Sequence, residues 1–354
     1  MASNTLTVEA AVTTSKQTIE YREQPIEAVP PGHARIAMSA VTLCGTDAHI
    51  WDNDYATELP IIQGHEAAGV ITELNAVDED QSFVVGDRVA IMPMFYCGTC
   101  YACSVGRVNA CKEMTVYGCY QDGCLVTAQN VPLRNLYKIP DSLPLMMAPL
   151  VEPLSIAMQA CKRGRPQAGE KVLVNGAGPI GILAASYLKE IGCEVAVTDM
   201  VASRLELATQ VGADKTFIVN GEFPNEEQAL ELSSWTEGNN PSLIIDATGS
   251  PRSLSAAIDT VATAGRVVCV GISARDVIFD MRTLVTKEID VLGSRNSMNL
   301  FPECIEMLDK HQDDLGELIT HRFDFHDLDN AFATLVDPTA QVGKIAIDFE
   351  RTES

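Results

Sequence analysis

The sequence predicts two domains of different class: a β-rich domain at the N-terminus and an α/β domain built on a doubly wound parallel sheet. Three observations carry that expectation. A strand, a glycine turn, an apolar helix and a second strand ending on an acid follow one another in KVLVNGAGPIGILAASYLKEIGCEVAVTD, Lys171 to Asp199. Short apolar segments separated by Pro, Gly and Asp turns fill the chain before it. The length of 354 residues exceeds what one core usually serves.

In chain order, ARIAMSAV (34–41) and AAGVITEL (67–74) read as strands, with turns at EAVPPGH (27–33) and VGDRV (85–89). LCGTDAHIW places Cys44, Thr46, Asp47 and His49 directly after a strand, and IIQGHEAAG places His65 and Glu66 just before another. Metal-capable residues at the ends of apolar runs can be aimed by a rigid scaffold. A lone Cys or His serves packing at least as often, so these are candidates only.

Cys97, Cys100, Cys103 and Cys111 form a C-x2-C-x2-C-x7-C pattern. Such spacing lets four thiolates converge on one tetrahedral ion and leaves no open position, so a zinc held there is structural. An iron–sulfur cluster is the rival reading, and a disulfide pair a weaker one. The other cysteines are scattered and read as small packing residues. Further on, MMAPLVEPLSIAMQACKRG is a helical run that carries Glu152 in apolar surroundings. A carboxylate there needs a cation, either a basic side chain or a metal.

Each glycine of the central turn has a distinct role: the tight turn at Gly176, close approach of a pyrophosphate at Gly178, and helix against strand at Gly181. The helix opening at Pro179 and Ile180 offers free N–H groups to phosphate. Asp199 can accept two ribose hydroxyls and repels a 2′-phosphate, which predicts NAD over NADP. Arg204 lies near the adenine or on a solvated face. Strands at 215–219, 242–248, 265–272 and 288–294 alternate with helices, giving a parallel sheet covered on both faces. Gly271, at the end of the third of these strands, and Ser294 and Asn296, at and just past the last, join the cofactor-binding set. From Asn296 the chain changes character: a helix FPECIEMLDK, the polar stretch HQDDLGELITHRF, a helix LDNAFATLV and a closing strand GKIAIDF. That strand is expected to return to the first domain and complete its edge. The expected domains are therefore 1–155 with 296–354, and 156–295, with a cysteine lobe at 93–115.

Apolar residues make up 46% and charged residues 21%, the balance of an ordinary globule. A formal net charge of −23 makes nucleic acid and anionic membranes poor partners. No basic segment with an apolar core opens the chain, and no apolar run reaches spanning length. The clustering among eleven cysteines points to metal in a reducing cytoplasm.

CGTDAHI, GHEAAG, GDRVA, CGTCYACSVGRVNAC, VEPLSIA, VNGAGPIG and GKIAIDF occur in order. Together they resemble, over essentially the whole length, the medium-chain zinc-dependent alcohol, polyol and sugar-acid dehydrogenases. The resemblance implies a GroES-like β-barrel domain built from both chain ends, with a Rossmann domain inserted. It implies a catalytic zinc held by Cys44 and His65 with Glu66 or Glu152, and a structural zinc in the four-cysteine lobe. Thr46 then matches the hydroxyl that touches the substrate oxygen, His49 a proton relay near the nicotinamide ribose, and Asp47 a residue that orients a ligand. The nicotinamide of NAD is expected to face a cleft lined by Cys44, Thr46, His65 and Glu152. The implied reaction is hydride transfer to NAD+ from a secondary alcohol of a small polyol or sugar acid. The implied assembly is a homo-oligomer, a tetramer before a dimer.

GSRNS (293–297), with Arg295, and GCYQDG (118–123) resemble the sugar-acid branch. Arg295 suits a cofactor phosphate or an acid at a domain interface equally well. Cys119, Cys124 and HQDDLG depart from the common family pattern. Dehydrogenases of short secondary alcohols, butanediol or threonine are the competing enzymes. A non-catalytic nucleotide-binding or redox-sensing protein is the competing class, against which the intact Cys44, His65, Glu66 and Glu152 argue.

Overall fold

The computed structural model describes residues 6–77 and 82–350. They fall into two compact units, Met1–Glu152 with Phe301–Ser354, and Pro153–Leu300.

The first unit is built on the strand His33–Leu43, whose near-continuous apolar run is buried on both faces. Glu66–Asn75 pairs with it antiparallel on one side, and Lys344–Asp348 antiparallel on the other. Ala128–Pro132 also pairs with its first half. The seven-stranded sheet continues outward through Arg88–Ile91 and Leu136–Lys138 at one end and Ile319–Asp324 at the other. Ile36, Leu43, Ile71, Ile91, Leu125 and Phe332 are fully buried in its core. Burial of each contributes about 1.5–3 kcal/mol, which holds the strand ends that carry the site in register. Trp51 stacks on Phe332 with ring centroids 5.5 Å apart, tying the short helix Gly45–Trp51 to the C-terminal helix Leu328–Val336. A three-stranded sheet of Thr18–Pro25, Thr7–Ser15 and Ile61–Ile62 supports the segment leading to His65.

One stretch to which the sequence assigns no element is ordered here, and one sequence expectation needs correction. The polar stretch 311–323 contains a helix, Gln312–Gly316, and most of a strand, Ile319–Asp324. That strand is half-buried and alternates Thr, Arg and Asp outward, so it lacks the apolar run by which strands are recognised. The closing strand Lys344–Asp348 is consequently interior, lying between Ile319–Asp324 and His33–Leu43 rather than completing an edge.

The second unit is a six-stranded parallel sheet in the order Lys215–Ile218, Glu194–Asp199, Lys171–Asn175, Leu243–Asp246, Arg266–Cys269 and Asp290–Gly293. Val172, Val174, Val195, Val197 and Leu243 to Ile245 are fully buried, as helices on both faces require. The strand order reverses between Lys171–Asn175 and Leu243–Asp246. A crevice beyond the carboxyl ends of such strands is where open α/β sheets bind ligands. Among the described residues no helix is long and apolar enough to cross a membrane.

Candidate active site and metal centres

In the first unit, Leu43 ends the long strand and Cys44 stands in extended conformation at the head of the helix Gly45–Trp51. Asp47, three residues on, accepts the Cys44 N–H at 2.9 Å. Its other oxygen accepts the Gly64 N–H at 3.3 Å and faces the Gln63 amide at 3.5 Å. The His65 Nδ1 lies 3.6 Å from Asp47 Oδ2. One fully buried carboxylate thus ties together the two segments that carry Cys44 and His65. Burial alone would raise its pKa, but His65 and the Cys44 and Gly64 N–H groups outweigh that and hold it below the usual range. With Nδ1 turned toward Asp47 and the Cys119 thiol, at 3.9 Å, Nε2 is the His65 nitrogen free to take a metal.

The donor atoms of Cys44, His65 and Glu66 lie within 4.8 Å of one another. A thiol, an imidazole and a carboxylate, two of them buried, form a set that suits zinc with a position left open. Glu152 falls outside that set, at the start of the helix Val151–Gly164. Burial pushes its carboxyl up to about 7, with His65 and Lys344 opposing the rise and Glu66 adding to it. The structure therefore groups Glu66, not Glu152, with Cys44 and His65. Thr46 is half-buried in the first helical turn, and His49 is exposed with Nδ1 2.9 Å from Asp54 Oδ1.

The loop YGCYQDG packs against the turn before His65. A Cβ at Gly118 would sit 2.7 Å from the Gly64 nitrogen, and one at Gly123 only 2.4 Å from the Gly64 oxygen, so three backbones meet where only glycine fits. Asp122 accepts the Ile62 N–H at 3.0 Å. These residues brace the ligand-bearing segment, a role that sequence similarity to a substrate branch does not reveal. Tyr120 is exposed, its hydroxyl 3.5 Å from that of Tyr55.

In the lobe, the Cys100 sulfur lies 3.6 Å from that of Cys103 and 3.8 Å from that of Cys111, which is 3.5 Å from that of Cys97. Four sulfurs about 2.3 Å from one ion would stand about 3.8 Å apart. The lobe fits a single zinc, leaves no space for a multi-iron cluster, and is too open for disulfides, whose sulfurs approach to about 2.05 Å. The Thr99 N–H and hydroxyl, with the Cys100 N–H, pull the Cys97 thiol down to about 6, toward the thiolate that zinc takes.

In the second unit, Gly176 leaves its strand at φ 93°. A Cβ on Gly181 would fall 1.7 Å from the Gly176 oxygen, whereas one on Gly178 would meet nothing within 4 Å. Gly181 is required by packing, and Gly178 keeps open a space that the protein does not fill. The helix Pro179–Ile191 starts there with Pro179 and Ile180 in its first turn. Asp199 accepts the Ala177 N–H at 2.7 Å and the Val201 N–H at 2.8 Å, locking the turn to the second strand. Among the described residues the buried Arg204 Nε and Ser294 Oγ find no hydrogen-bond partner, as polar atoms awaiting a ligand would. Gly271 meets Gly249 closely beyond the strand ends, where both line a recess with Asp246 and Ser250. Arg295 is exposed in the loop after Asp290–Gly293, and Asn296 follows at φ 46°.

A dinucleotide turn closed by an acid, a four-thiolate lobe and a convergent Cys–His–Glu set together define the class of a metal-dependent, nucleotide-dependent oxidoreductase. Comparison with known proteins agrees. A family profile described as "Alcohol dehydrogenase GroES-like domain" matches residues 30–141, and one described as "Zinc-binding dehydrogenase" matches 179–310. The chain is 35% identical to the starvation-sensing protein RspB of Escherichia coli K12 over 92% of its length and 95% of that protein. It is 34% identical to mouse (Mus musculus) sorbitol dehydrogenase, covering 89% of each chain. A crystal structure titled as a short chain alcohol dehydrogenase (rspB) from E. coli CFT073 with cofactor NADH superposes with a TM-score of 0.88. It covers 97% of this chain and 99% of that one at 32% identity. The chain belongs to the zinc-dependent medium-chain alcohol and polyol dehydrogenase family. It is a zinc-dependent oxidoreductase.

Proposed function

We propose that the protein oxidises a secondary alcohol of a small polyol or sugar acid with NAD+. The observation that carries this reading is the convergence of Cys44 with the buried His65 and Glu66 in a chain that also holds a dinucleotide turn closed by Asp199. When bound, zinc supplies a Lewis acid for the substrate hydroxyl, and NAD a hydride acceptor. Cys44, His65 and Glu66 hold the ion, with Glu152 the alternative carboxylate, and Asp47 fixes the imidazole that binds it. Thr46, two residues from Cys44, accepts the hydroxyl proton and passes it outward, and His49, exposed and oriented by Asp54, delivers it to water. The second unit binds NAD through Gly176, Gly178 and the first turn of Pro179–Ile191, with Asp199 on the ribose. Arg204, Gly271, Ser294 and Asn296 complete that contact. Arg295 supplies a guanidinium suited to a substrate carboxylate, which favours a sugar acid. The likeness to sorbitol dehydrogenase supports a polyol.

The protein is further proposed to work in the cytoplasm, where its eleven cysteines stay reduced. It is proposed to assemble as a homo-oligomer, a tetramer before a dimer. Asp290–Gly293 is an edge strand, and Ile272 and Ile278 nearby in the chain are 88% and 84% exposed. An apolar edge of that kind is stable when a second copy covers it.

NAD reduction measured against gulonate, galactonate, sorbitol, threonine and 2,3-butanediol tests the reading. Turnover of an acid or of sorbitol above the other substrates supports it. Strong turnover of the diol alone overturns it.

A further inference from the structure

Lysine is almost never fully buried unless paired, yet Lys344, the first residue of the closing strand, is 4% exposed. Its ammonium donates to both carboxylate oxygens of Glu66, at 2.7 Å to Oε2, and to the Leu43 carbonyl at 3.3 Å. Glu66 is itself 1% exposed, and Thr42 Oγ1 also donates to its Oε2. One cation therefore grips the carboxylate of one metal donor and the backbone immediately before another, Cys44. A carboxylate has about four lone-pair sites. Lys344 and Thr42 occupy three of them, leaving one to face the His65 and Cys44 donors.

We propose that Lys344 is a positioning residue of the catalytic metal centre, clamping Glu66 and the Leu43–Cys44 backbone so that the donor set forms only when the C-terminal strand is docked. This rests on the assignment of Cys44, His65 and Glu66 as the metal donors. The strand that closes the sheet thereby becomes part of the metal site, although it supplies no donor of its own. Removing the ammonium strips the buried carboxylate of its charged side-chain donor and frees it to turn away from the metal.

The test is zinc affinity of the full-length protein by chelator competition, together with the visible spectrum of the cobalt-substituted protein. Wild type, Lys344→Met, Lys344→Arg and Thr42→Val are compared. Wild type is expected to hold two zinc ions per chain. Lys344→Met is expected to bind one of them about 10- to 100-fold more weakly, the range for outer partners of metal ligands. The lobe zinc stays unchanged as an internal reference. Lys344→Arg restores most of the affinity, Thr42→Val loses less of it, and the cobalt bands of the affected centre shift in Lys344→Met. Variants that fold and keep wild-type affinity at both sites, with an unshifted spectrum, overturn the role of Lys344. If Lys344→Met does not fold, Thr42→Val decides: unaltered affinity overturns the clamp and weakened affinity supports it. Wild type holding only one zinc overturns the donor assignment itself, and the clamp with it.

Discussion

Replacing Gly181 by alanine places a methyl carbon 1.7 Å from the Gly176 carbonyl oxygen, while the same change at Gly178 meets no atom within 4 Å. Carbon and oxygen settle no closer than about 3.3 Å, so Gly181→Ala must open the turn by about 1.6 Å. The helix cannot simply drift, because Gly181 to Leu188 are all buried. Overpacking of this kind costs about 3 kcal/mol. In a unit of this size that corresponds to a fall of about 6–12 °C in melting temperature. Gly178 has φ −69°, accessible to any residue, so Gly178→Ala costs no more than about 1 kcal/mol through the weaker cap. The added methyl nevertheless occupies the space assigned to the pyrophosphate, and NAD affinity should drop at least tenfold, about 1.4 kcal/mol. Thermal melts with and without NAD, and calorimetric NAD titration, separate the two effects. Gly181→Ala with wild-type stability, or Gly178→Ala with wild-type NAD affinity, would refute the division of labour among these glycines.

Asp199→Ala removes the acceptor of two N–H bonds and the charge that repels a 2′-phosphate. The dissociation constant for NAD should rise ten- to a hundredfold, on the order of 1–3 kcal/mol, and discrimination against NADP should collapse when both are titrated. Cys103→Ser should lower zinc content from two ions per chain to one by elemental analysis, leaving NAD affinity unchanged. Asp47→Asn keeps the shape but loses the charge beside His65, and zinc at the Cys44 site should weaken about tenfold in chelator competition. Ile278→Asp combined with Val285→Asp puts charge on the exposed apolar surface. Sedimentation should then report monomers, and an unchanged oligomer would exclude that face as the contact.

What the sequence made legible followed from local chemistry. The glycine turn, Asp199 and the cysteine spacing are short-range patterns whose geometry is set within a few residues: in the structure Gly176 turns at positive φ, Asp199 accepts two backbone N–H groups and the four cysteines converge. Asp47 is expected to orient a ligand or backbone only through the family resemblance, and the structure places it in the first turn of the helix that opens on Cys44. Lys344 could not be expected to, since its partner Glu66 lies 278 residues away and only the sheet order brings them together. The signal available was a lysine opening a closing strand whose next three residues are apolar. Strand Ile319–Asp324 was obscured because half its residues face solvent. Gly118, Asp122 and Gly123 were noticed for their similarity to a substrate branch, yet their visible work is to press a loop onto Gly64.

The central claim is that this chain transfers hydride from a carbinol carbon to NAD. Its most direct test uses a polyol or sugar acid deuterated at the reacting carbon, with mass analysis of the reduced cofactor. One deuterium per cofactor, lost when Cys44→Ser removes a metal donor, is the predicted result. Reduced cofactor without deuterium, or none from any polyol or sugar acid offered to the zinc-replete protein, would contradict it.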